Sequence, residues 1–307
     1  MNKREFLLEK IKNIEPILKI YYQNFENRIK RAFIVKEKAI IKIWSIFLKE
    51  IFGISYLKKI KTFFDREMHV YLEDADASSL YFFGILFGYG YGTELSLIKY
   101  LIKNIKENDV FYDIGANYGF YTILAQEFIS SGEIHSFEPN PSIFPLLVEN
   151  AQPEKFSNTF LNEVALSNKD EELEFYDRFN QRHSGGSSLI KYSHFEGNYK
   201  SIKVRAMKLD TYLLSHKKPT IMKVDIEGGE PLFLKGAENF LKENNPVIII
   251  EIVPDELHKQ AVEILQSFGF NMYGINQEGE IEMLNNNQVN EVLFGKINLG
   301  GNFVFKK

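Results

Sequence analysis

From Asp109 onward, short apolar runs alternate with helical stretches, and this alternation constrains the fold more than any other feature of the sequence. Residues 221–224 and 247–252 are nearly continuous apolar runs, which is typical of parallel strands covered by helices on both faces. The pattern predicts a doubly wound α/β domain with a mostly parallel, seven-stranded sheet. The predicted strands lie near residues 110–114, 133–137, 159–161, 221–224, 247–252, 271–275 and 302–305.

The first part of the chain has a different pattern. Residues 1 to about 65 carry apolar residues at three- and four-residue spacing, which predicts helices. We therefore divide the chain into an N-terminal helical extension, residues 1–75, and an α/β domain, residues 76–307. An insertion at about 168–207 interrupts the domain, and its strands near 173–177 and 202–206 are expected to form a hairpin. The helical extension is expected to associate with a second copy of the chain or to cover the site.

One early apolar stretch, residues 40–57, leaves two interpretations open. Lys42, Lys49 and Glu50 interrupt it, so it falls short of the roughly 18 uncharged residues that a membrane-spanning helix needs. The first interpretation is an amphipathic helix that packs on the protein or on a second subunit. The second is a helix that lies on the inner surface of a membrane. The N-terminus lacks the pattern of a secretory signal, so we expect a cytoplasmic protein with no membrane span.

The composition excludes several classes of site. The chain holds no cysteine, which excludes disulfides, thiolate metal sites and cysteine nucleophiles. The formal net charge is −4 and no long basic block is present, so the sequence does not favour binding of nucleic acid. We therefore expect no nucleic-acid partner.

The strongest local signal is the run Asp113-Ile-Gly-Ala-Asn-Tyr-Gly119, between the first strand and its helix. Gly115 permits a tight turn and the close approach of a ligand to the backbone. The helix that follows can receive a carboxylate on its free N–H groups, and Asp113 suits an ammonium group. A ligand with both groups, such as the methionine end of S-adenosylmethionine, fits this pair better than a pyrophosphate. The dinucleotide pattern G-x-G-x-x-G is not met, because Asn117 stands in place of the middle glycine.

Two further strand ends carry acidic residues. Glu138 ends the second strand, about one βα unit after Asp113, where a carboxylate can accept both hydroxyls of an adenosine ribose. The fourth strand ends in Lys223-Val-Asp-Ile-Glu-Gly-Gly-Glu230, which places three carboxylates within six residues. Carboxylates packed so closely are costly unless they are paired or bind something. A Mg²⁺ or Ca²⁺ site at Asp225, Glu227 and Glu230 is one alternative, but we assign no metal.

These motifs together resemble the FkbM-type methyltransferases. The resemblance runs from Asp109 to about Glu251, roughly half of the chain, and leaves out the N-terminal helices. The matching blocks are D-I-G-A-N-Y-G-F-Y at 113–121, F-E-P-N-P at 137–141, V-A-L-S at 164–167, G-G-S-S-L at 185–189, L-D-T-Y at 209–212, K-V-D-I-E-G-G-E at 223–230 and L-K-G-A at 234–237.

The resemblance implies a class I, Rossmann-like methyltransferase that transfers a methyl group from S-adenosylmethionine to a hydroxyl, often on a sugar or polyketide. The expected acceptor is a nucleotide-activated sugar or a precursor of a surface or capsule polysaccharide. The resemblance assigns the cofactor to a defined set of residues. Asp113, Gly115 and Asn117 would hold the methionine end, Glu138 the ribose, Glu163 to Ala165 would border the adenine, and Asp225 would lie near the methyl group.

The acceptor side rests on weaker signals. Asp225 and Glu227 are the first candidates for a general base, followed by His183 and His194, and Lys223 would orient the acceptor or stabilise negative charge. The Gly-rich loop at 181–188 is expected to cover the acceptor. Further candidates are aromatic residues for a sugar ring and basic residues for a diphosphate, namely Tyr89, Tyr91, Arg178, Arg182 and Lys191.

Other functions stay open on the sequence alone. An N-methyltransferase is the nearest alternative. An NAD-dependent enzyme that modifies nucleotide sugars would need tight NAD binding without the usual glycine pattern. A non-catalytic Rossmann-like binding protein would keep the fold and fail to bind the cofactor.

Overall fold

The predicted strands pair into one central sheet in the computed structural model, which describes residues 1–23, 34–86, 93–178, 184–191, 199–295 and 301–307. The strands in chain order are β1 Leu57–Lys61, β2 Glu67–Tyr71, β3 Val110–Ile114, β4 Glu133–Phe137, β5 Thr159–Asn162, β6 Ala165–Leu166, β7 Glu172–Asp177, β8 Lys200–Met207, β9 Ile221–Val224, β10 Val247–Glu251, β11 Asn271–Ile275, β12 Ile281–Met283 and β13 Asn302–Lys306.

Helices connect these strands and cover both faces of the sheet. They are α1 Lys3–Gln23, α2 Glu37–Phe52, α3 Ser78–Phe83, α4 Thr93–Asn104, α5 Phe120–Gln126, α6 Phe144–Ala151, α7 Leu209–Tyr212, α8 Glu230–Gly236, α9 Glu238–Glu243, α10 Glu256–Ser267 and α11 Asn286–Leu293. Ser184–Gly186 forms one short 3₁₀ turn.

The order of strands in the central sheet is β12-β11-β13-β10-β9-β3-β4-β5. Strands β5, β4, β3, β9 and β10 run parallel, and β13 is inserted antiparallel between β10 and β11. This arrangement confirms the predicted doubly wound α/β class. In the described part of the chain the sheet has eight strands, one more than predicted, because β12 adds an antiparallel edge strand to β11.

Successive residues of β3 face opposite sides of the sheet, as the strand geometry requires. Phe111 belongs to a core that includes helices α1, α4 and α5, whereas Tyr112 belongs to a core that includes α8 and α10. Both side chains are fully buried. The apolar run at β3 is therefore continuous because both of its faces are covered, which is the reason that the sequence pattern identified it.

The N-terminal region is less uniform than the sequence predicted. Helices α1 and α2 are present, but the expectation of helix up to about residue 65 is wrong for the last part, where β1 and β2 form an antiparallel hairpin. Leu7, Ile11 and Leu18 of α1 are buried in the same core as the inward face of α4. The first helix is thus packed onto the α/β domain, while the boundary near residue 75 stays a prediction.

The insertion contains the predicted hairpin. Strands β7 and β8 pair antiparallel, and the short strand β6 pairs with β8 in parallel. The three strands form a separate small sheet beside the central one. This sheet places residues 184–191 at the carboxyl edge of the central sheet, above the turn that follows β3.

The packing of α1 predicts how the protein responds to loss of a buried side chain. Ile11 is fully buried, so Ile11→Ala is expected to lower the unfolding free energy by about 2–5 kcal/mol. Ile17 on the same helix is 49% exposed, and Ile17→Ala should change stability by less than about 0.5 kcal/mol. Urea unfolding of both variants measures the difference. Equal, small effects would show that α1 is not part of the domain core.

Candidate active site

A cleft of about 1040 Å³ lies at the carboxyl edge of the central sheet. It is bordered by the segments that follow β3, β4, β9 and β10, and ligands of open α/β sheets bind at this edge. Helix α2 and the tip of the β7–β8 hairpin also contribute to its walls. The cleft therefore brings together the strand ends that carry the predicted acidic motifs. Helix α2 and the hairpin tip, which lie outside those acidic motifs, also border it.

The turn after β3 forms one wall of the cleft. Gly115 has a φ of +80°, and a Cβ there would lie 1.9 Å from the carbonyl oxygen of Asp225. The backbone N–H groups of Gly115 and Ala116 both donate to the carbonyl oxygen of Phe137, at 3.0 Å. Glycine is required here because the turn passes directly over the end of β9, with no space for a side chain.

Glu138 lies beside this turn and faces the cleft. Its Oε2 accepts a hydrogen bond from the backbone N–H of Asn117 at 2.9 Å, and its Oε1 accepts from that of Asn140 at 2.8 Å. Burial raises the pKa of Glu138 to about 7, although these two N–H groups oppose the shift. Each carboxylate oxygen can accept more than one hydrogen bond, so both remain able to accept from ligand hydroxyls.

Asp113 lies behind the turn rather than on the surface of the cleft. It is fully buried, and its Oδ2 accepts from the Thr122 hydroxyl at 2.7 Å. Its Oδ1 has no hydrogen-bond partner among the described residues. Burial raises the pKa of Asp113, and the nearby ammonium of Lys223 opposes the shift. Direct contact between Asp113 and a ligand amino group stays a prediction.

The floor of the cleft holds a buried ion pair at the end of β9. Lys223 Nζ donates to Asp225 Oδ2 at 2.9 Å and lies 4.9 Å from the ring centroid of Tyr121. Burial alone lowers the pKa of Lys223, but the carboxylates of Asp225, Asp113 and Glu94 together reverse the effect, so the pKa is raised. Lys223 therefore stays charged and balances several carboxylates.

Glu94, which the sequence analysis did not identify, is one of these carboxylates. It lies in the first turn of helix α4, accepts from the Tyr121 hydroxyl, and accepts from Asn302 Nδ2 at 2.9 Å. Burial raises its pKa, and Lys223 opposes the shift. The local sequence around Glu94 reads as an ordinary first turn of a helix, so only the tertiary fold shows that this carboxylate borders the cleft.

Two more carboxylates line the cleft and are close enough to Asp225 to be affected by its charge. Glu227 follows β9 with a φ of +53°, and Glu251 ends β10. The pKa of Glu227 is raised well above its ordinary value by burial and then by Asp225 and Glu251. Burial, followed by the charge of Asp225, raises the pKa of Glu251 to about 8. Both groups are thus protonated more readily than exposed carboxylates.

Glu230 does not join this group. Its Oε1 accepts from the backbone N–H of Ile226 at 3.2 Å, and its Oε2 lies 3.7 Å from Nε2 of His258. Within the described ranges, no set of three or more histidine and carboxylate side chains is arranged to hold a metal ion. The three carboxylates of the strand-end motif are therefore divided between the cleft and the interior.

The tip of the insertion hairpin is fixed above the β3 turn. Gly185 N–H donates to Asp76 Oδ2 at 2.9 Å, and Asn117 Nδ2 donates to Ser184 Oγ at 3.1 Å. Ser188 Oγ donates to the carbonyl oxygen of Glu227 at 2.7 Å. The described part of the Gly-rich loop thus lines the cleft, and its role as a cover for the acceptor stays a prediction.

Asp74 and Asp76, which the sequence analysis also missed, support that tip from below. Asp74 is fully buried and accepts from the Tyr118 hydroxyl at 2.6 Å and from the Ser184 N–H at 3.4 Å. Burial and then the neighbouring charge of Asp76 raise the pKa of Asp74. The pair of aspartates separated by one residue was visible in the sequence, but it lies outside the family motifs.

The remaining predicted residues divide into three groups. Ala165 lines the cleft together with Val164 and Leu166, whereas Glu163 is exposed and does not line it. Arg178 and Lys191 are described and do not line it either. The other acceptor candidates lie outside the described residues, namely Tyr89, Tyr91, Arg182, His183 and His194.

The far end of the cleft is apolar. Helix α2 contributes Ala39, Ile43 and Ile46, and the segment around α3 contributes Phe82, Phe83 and Leu86. The sequence predicts that the N-terminal helices associate with a second copy or cover the site, and α2 forms a wall of the cleft. The cleft thus has a polar end near Glu138 and an apolar end near α2.

The close approach at Gly115 can be tested against a glycine with the same backbone conformation. Gly115→Ala should lower the unfolding free energy by about 3 kcal/mol or more, because backbone strain and a steric clash add. Gly53 has a φ of +68°, and a Cβ there would have no atom within 4 Å, so Gly53→Ala should cost about 1–2 kcal/mol. Chemical denaturation measures both, and equal costs would contradict the clash.

Comparison with known proteins identifies relatives that transfer methyl groups. A hexuronic acid methyltransferase, AglP from Haloferax volcanii, is 27% identical over 159 residues, which cover 51% of this chain and 61% of that protein. A solved FkbM methyltransferase from Methylobacillus flagellatus is 13% identical, covers 66% of this chain and 44% of its own, and has a TM-score of 0.41. A solved S-adenosylmethionine-dependent O-methyltransferase from Thermotoga maritima is 12% identical, covers 84% and 80%, and has a TM-score of 0.38.

The match to a whole family is more extensive than any motif. The family pattern described as the methyltransferase FkbM domain matches residues 113–272, which is more than half of the chain. The matched range begins at Asp113 and includes Glu138, Asp225 and Glu251, the carboxylates discussed above. The chain belongs to the FkbM methyltransferase family.

Proposed function

We propose that the protein transfers a methyl group from S-adenosylmethionine to a hydroxyl of a sugar, carried by a nucleotide-activated sugar or by a precursor of a surface polysaccharide. The observation that carries the proposal is Glu138, a buried carboxylate facing the cleft one βα unit after a glycine turn. The hexuronic acid methyltransferase among the relatives supports a sugar as the acceptor.

S-adenosylmethionine is the cofactor of this family, and the residues of the cleft fit it. The turn at Gly115 brings backbone to the cleft with no side chain in the way, which suits the methionine end. Glu138 is placed to accept hydrogen bonds from the ribose hydroxyls. Val164, Ala165 and Leu166 provide an apolar wall for the adenine. Glu163 would then act through its backbone, because its side chain is exposed.

The reaction needs alignment, exclusion of water and a destination for one proton. When bound, the cofactor supplies an electrophilic methyl group on a positively charged sulfur. The acceptor hydroxyl loses its proton as its oxygen forms the new bond, so a carboxylate near the oxygen assists. We assign this role to Asp225 or Glu227, and Glu251 is a third candidate because burial raises its pKa to about 8.

Lys223 acts on Asp225 in this proposal. Its ammonium holds the Asp225 carboxylate at 2.9 Å and so fixes the direction in which the other carboxylate oxygen points. The hairpin tip at 184–188 excludes water from the acceptor side. His183 stays a further candidate for the base, and Tyr91, Arg182 and His194 stay candidates for contact with the acceptor.

The cellular location and the partners of the protein follow from weaker observations than the cofactor does. In the described part of the chain no helix is both long and apolar enough to cross a membrane. A cytoplasmic location, the absence of a nucleic-acid partner and self-association through the N-terminal helices stay predictions. The division into an N-terminal extension, residues 1–75, and a methyltransferase domain, residues 76–307, also stays a prediction.

Calorimetric titration with S-adenosylhomocysteine tests the cofactor site. Wild-type protein should bind in the micromolar range, and Glu138→Ala should weaken binding by at least about tenfold because two hydrogen bonds to a charged acceptor are lost. Asp113→Ala should also weaken binding, and Glu154→Gln, at an exposed position, should not. Binding of NAD in place of S-adenosylhomocysteine would favour an NAD-dependent enzyme. Binding of neither ligand would favour a non-catalytic binding protein.

The raised pKa of Glu138 predicts a pH dependence. The ionised carboxylate accepts the ribose hydroxyls, so affinity should fall by up to about tenfold per pH unit below about pH 7 and level off above about pH 8. The stability of the free protein depends on pH in the opposite direction to the affinity. Because burial penalises the charged form, the contribution of Glu138 to the unfolding free energy falls as the pH rises through about 7.

Glu138→Gln isolates this effect from the other carboxylates. The variant should bind weakly with a flatter pH profile, and its unfolding free energy near pH 8 should exceed that of the wild type by roughly 1 kcal/mol or more. Titrations and urea unfolding between about pH 6 and about pH 8 measure both quantities. A wild-type affinity that does not change over this range would contradict the assignment of Glu138 to the ribose.

A further inference from the structure

Helix α2 presents its large apolar side chains to solvent. Within the helix, Ala39 and Ser45 are buried, and both are small. Side chains that normally form a protein core are more than 40% exposed here, namely Ile40, Ile43, Trp44, Phe47, Ile51 and Phe52. Soluble proteins rarely expose such a continuous apolar face without a partner.

Two lysines of the same helix, Lys38 and Lys42, reach back to the rest of the protein. Lys38 Nζ donates to the carbonyl oxygen of Phe82 at 2.8 Å, and Lys42 Nζ donates to those of Leu72 and Asp74 at 2.7 and 2.8 Å. These bonds fix the rotation of the helix about its axis. The outward direction of the apolar face is therefore held by specific contacts, in contrast to an ordinary surface helix, whose charges face water.

The charge of the chain is unevenly divided around this helix. Residues 1–61 hold 15 Lys and Arg against six Asp and Glu, a net charge of +9. Residues 62–307 hold 22 against 35, a net charge of −13. The segment of sequence that contains α2 is thus basic, whereas the rest of the chain is acidic. An anionic lipid surface attracts the first part and repels the second.

We propose that helix α2 docks the protein on a membrane surface that contains anionic lipids, with Trp44, Phe47, Ile51 and Phe52 inserted between the lipids. The three aromatic rings form a cluster, with centroids 5.6 Å apart for Trp44 and Phe47 and 6.2 Å for Phe47 and Phe52. Aromatic side chains of this kind are enriched at the membrane–water interface. An apolar face with basic residues nearby is the pattern of helices that lie in that interface.

A second copy of the chain fits the face less well. Residues 34–61, which contain α2, hold seven Lys and Arg against two Asp and Glu, a net charge of +5. Pairing two copies through α2 brings two such segments together, and like charges oppose association. An anionic lipid surface instead provides both the apolar environment and the opposite charge. The charge distribution therefore favours the membrane over self-association at this face.

Docking at α2 would place the cleft at the membrane. Ala39, Ile43 and Ile46 of the same helix line the apolar end of the cleft, so that end opens beside the docked face. An acceptor sugar attached to a lipid anchor would reach the site from there, with its anchor along the apolar wall. This consequence rests on the proposed function, whereas the docking itself does not.

Trp44, the single tryptophan of the chain, reports directly on the docked face. Its fluorescence should shift to shorter wavelength, and the protein should sediment, with vesicles of phosphatidylcholine and phosphatidylglycerol. Vesicles of phosphatidylcholine alone should bind it at least about tenfold more weakly. The variant Phe47→Ser/Ile51→Ser, which keeps Trp44, should lower partitioning into the mixed vesicles by about tenfold or more. The control Leu214→Ser/Met283→Ser changes two exposed apolar residues outside this region and should bind as the wild type does.

Wild-type protein that neither shifts its emission nor sediments with the mixed vesicles is not docked by α2. A dimer in buffer that Phe47→Ser/Ile51→Ser converts to monomer, with Trp44 emission already at short wavelength, assigns the face to a second copy. Titration of the same samples with S-adenosylhomocysteine separates the docking proposal from the proposed function. A variant that no longer binds vesicles but still binds S-adenosylhomocysteine normally has lost docking alone.

Discussion

The site depends on one buried cation. Lys223 lies in the middle of the central sheet, and the carboxylates of Asp225, Asp113 and Glu94 surround it. Without this ammonium, several carboxylates would be buried close together with no compensating charge, which is among the most destabilising arrangements in a protein. The pairing of β3 with β9 puts Asp113 directly opposite Lys223, so the register of the sheet and the electrostatics of the site are set together.

The bounds of the central strands could be predicted closely because the residues within each strand and at its ends determine them. Strands β3, β4, β9 and β11 have the predicted bounds, since apolar runs between turn residues identify strands that are covered on both faces. The hairpin of β1 and β2 was missed because β1 is rich in lysine and only partly buried. Strand β12 was missed because three residues at the edge of a sheet have too little pattern to be recognised.

The candidate site shows the same division. Gly115, Glu138 and Asp225 follow predicted strands, and parallel strands bring their carboxyl ends to one edge, so the sequence could place these residues together. Glu94 and Asp76 reach the cleft from segments that precede the first strand of the central sheet. Their approach depends on how α4 and the segment before α3 pack, which no local pattern encodes. The orientation of α2 likewise follows from hydrogen bonds between its lysines and distant carbonyl groups.

The hydrogen bond between Asn117 and Ser184 links the turn that would hold the cofactor to the hairpin that would cover the acceptor side. A ligand that reorients Asn117 changes the energy of the covering segment, and an acceptor beneath that segment changes the affinity of the turn by the same factor. In the proposed reaction, the cofactor and the acceptor would therefore be coupled through Asn117. Under that proposal, binding of one substrate would change the affinity for the other, although the turn and the hairpin tip belong to two separate sheets.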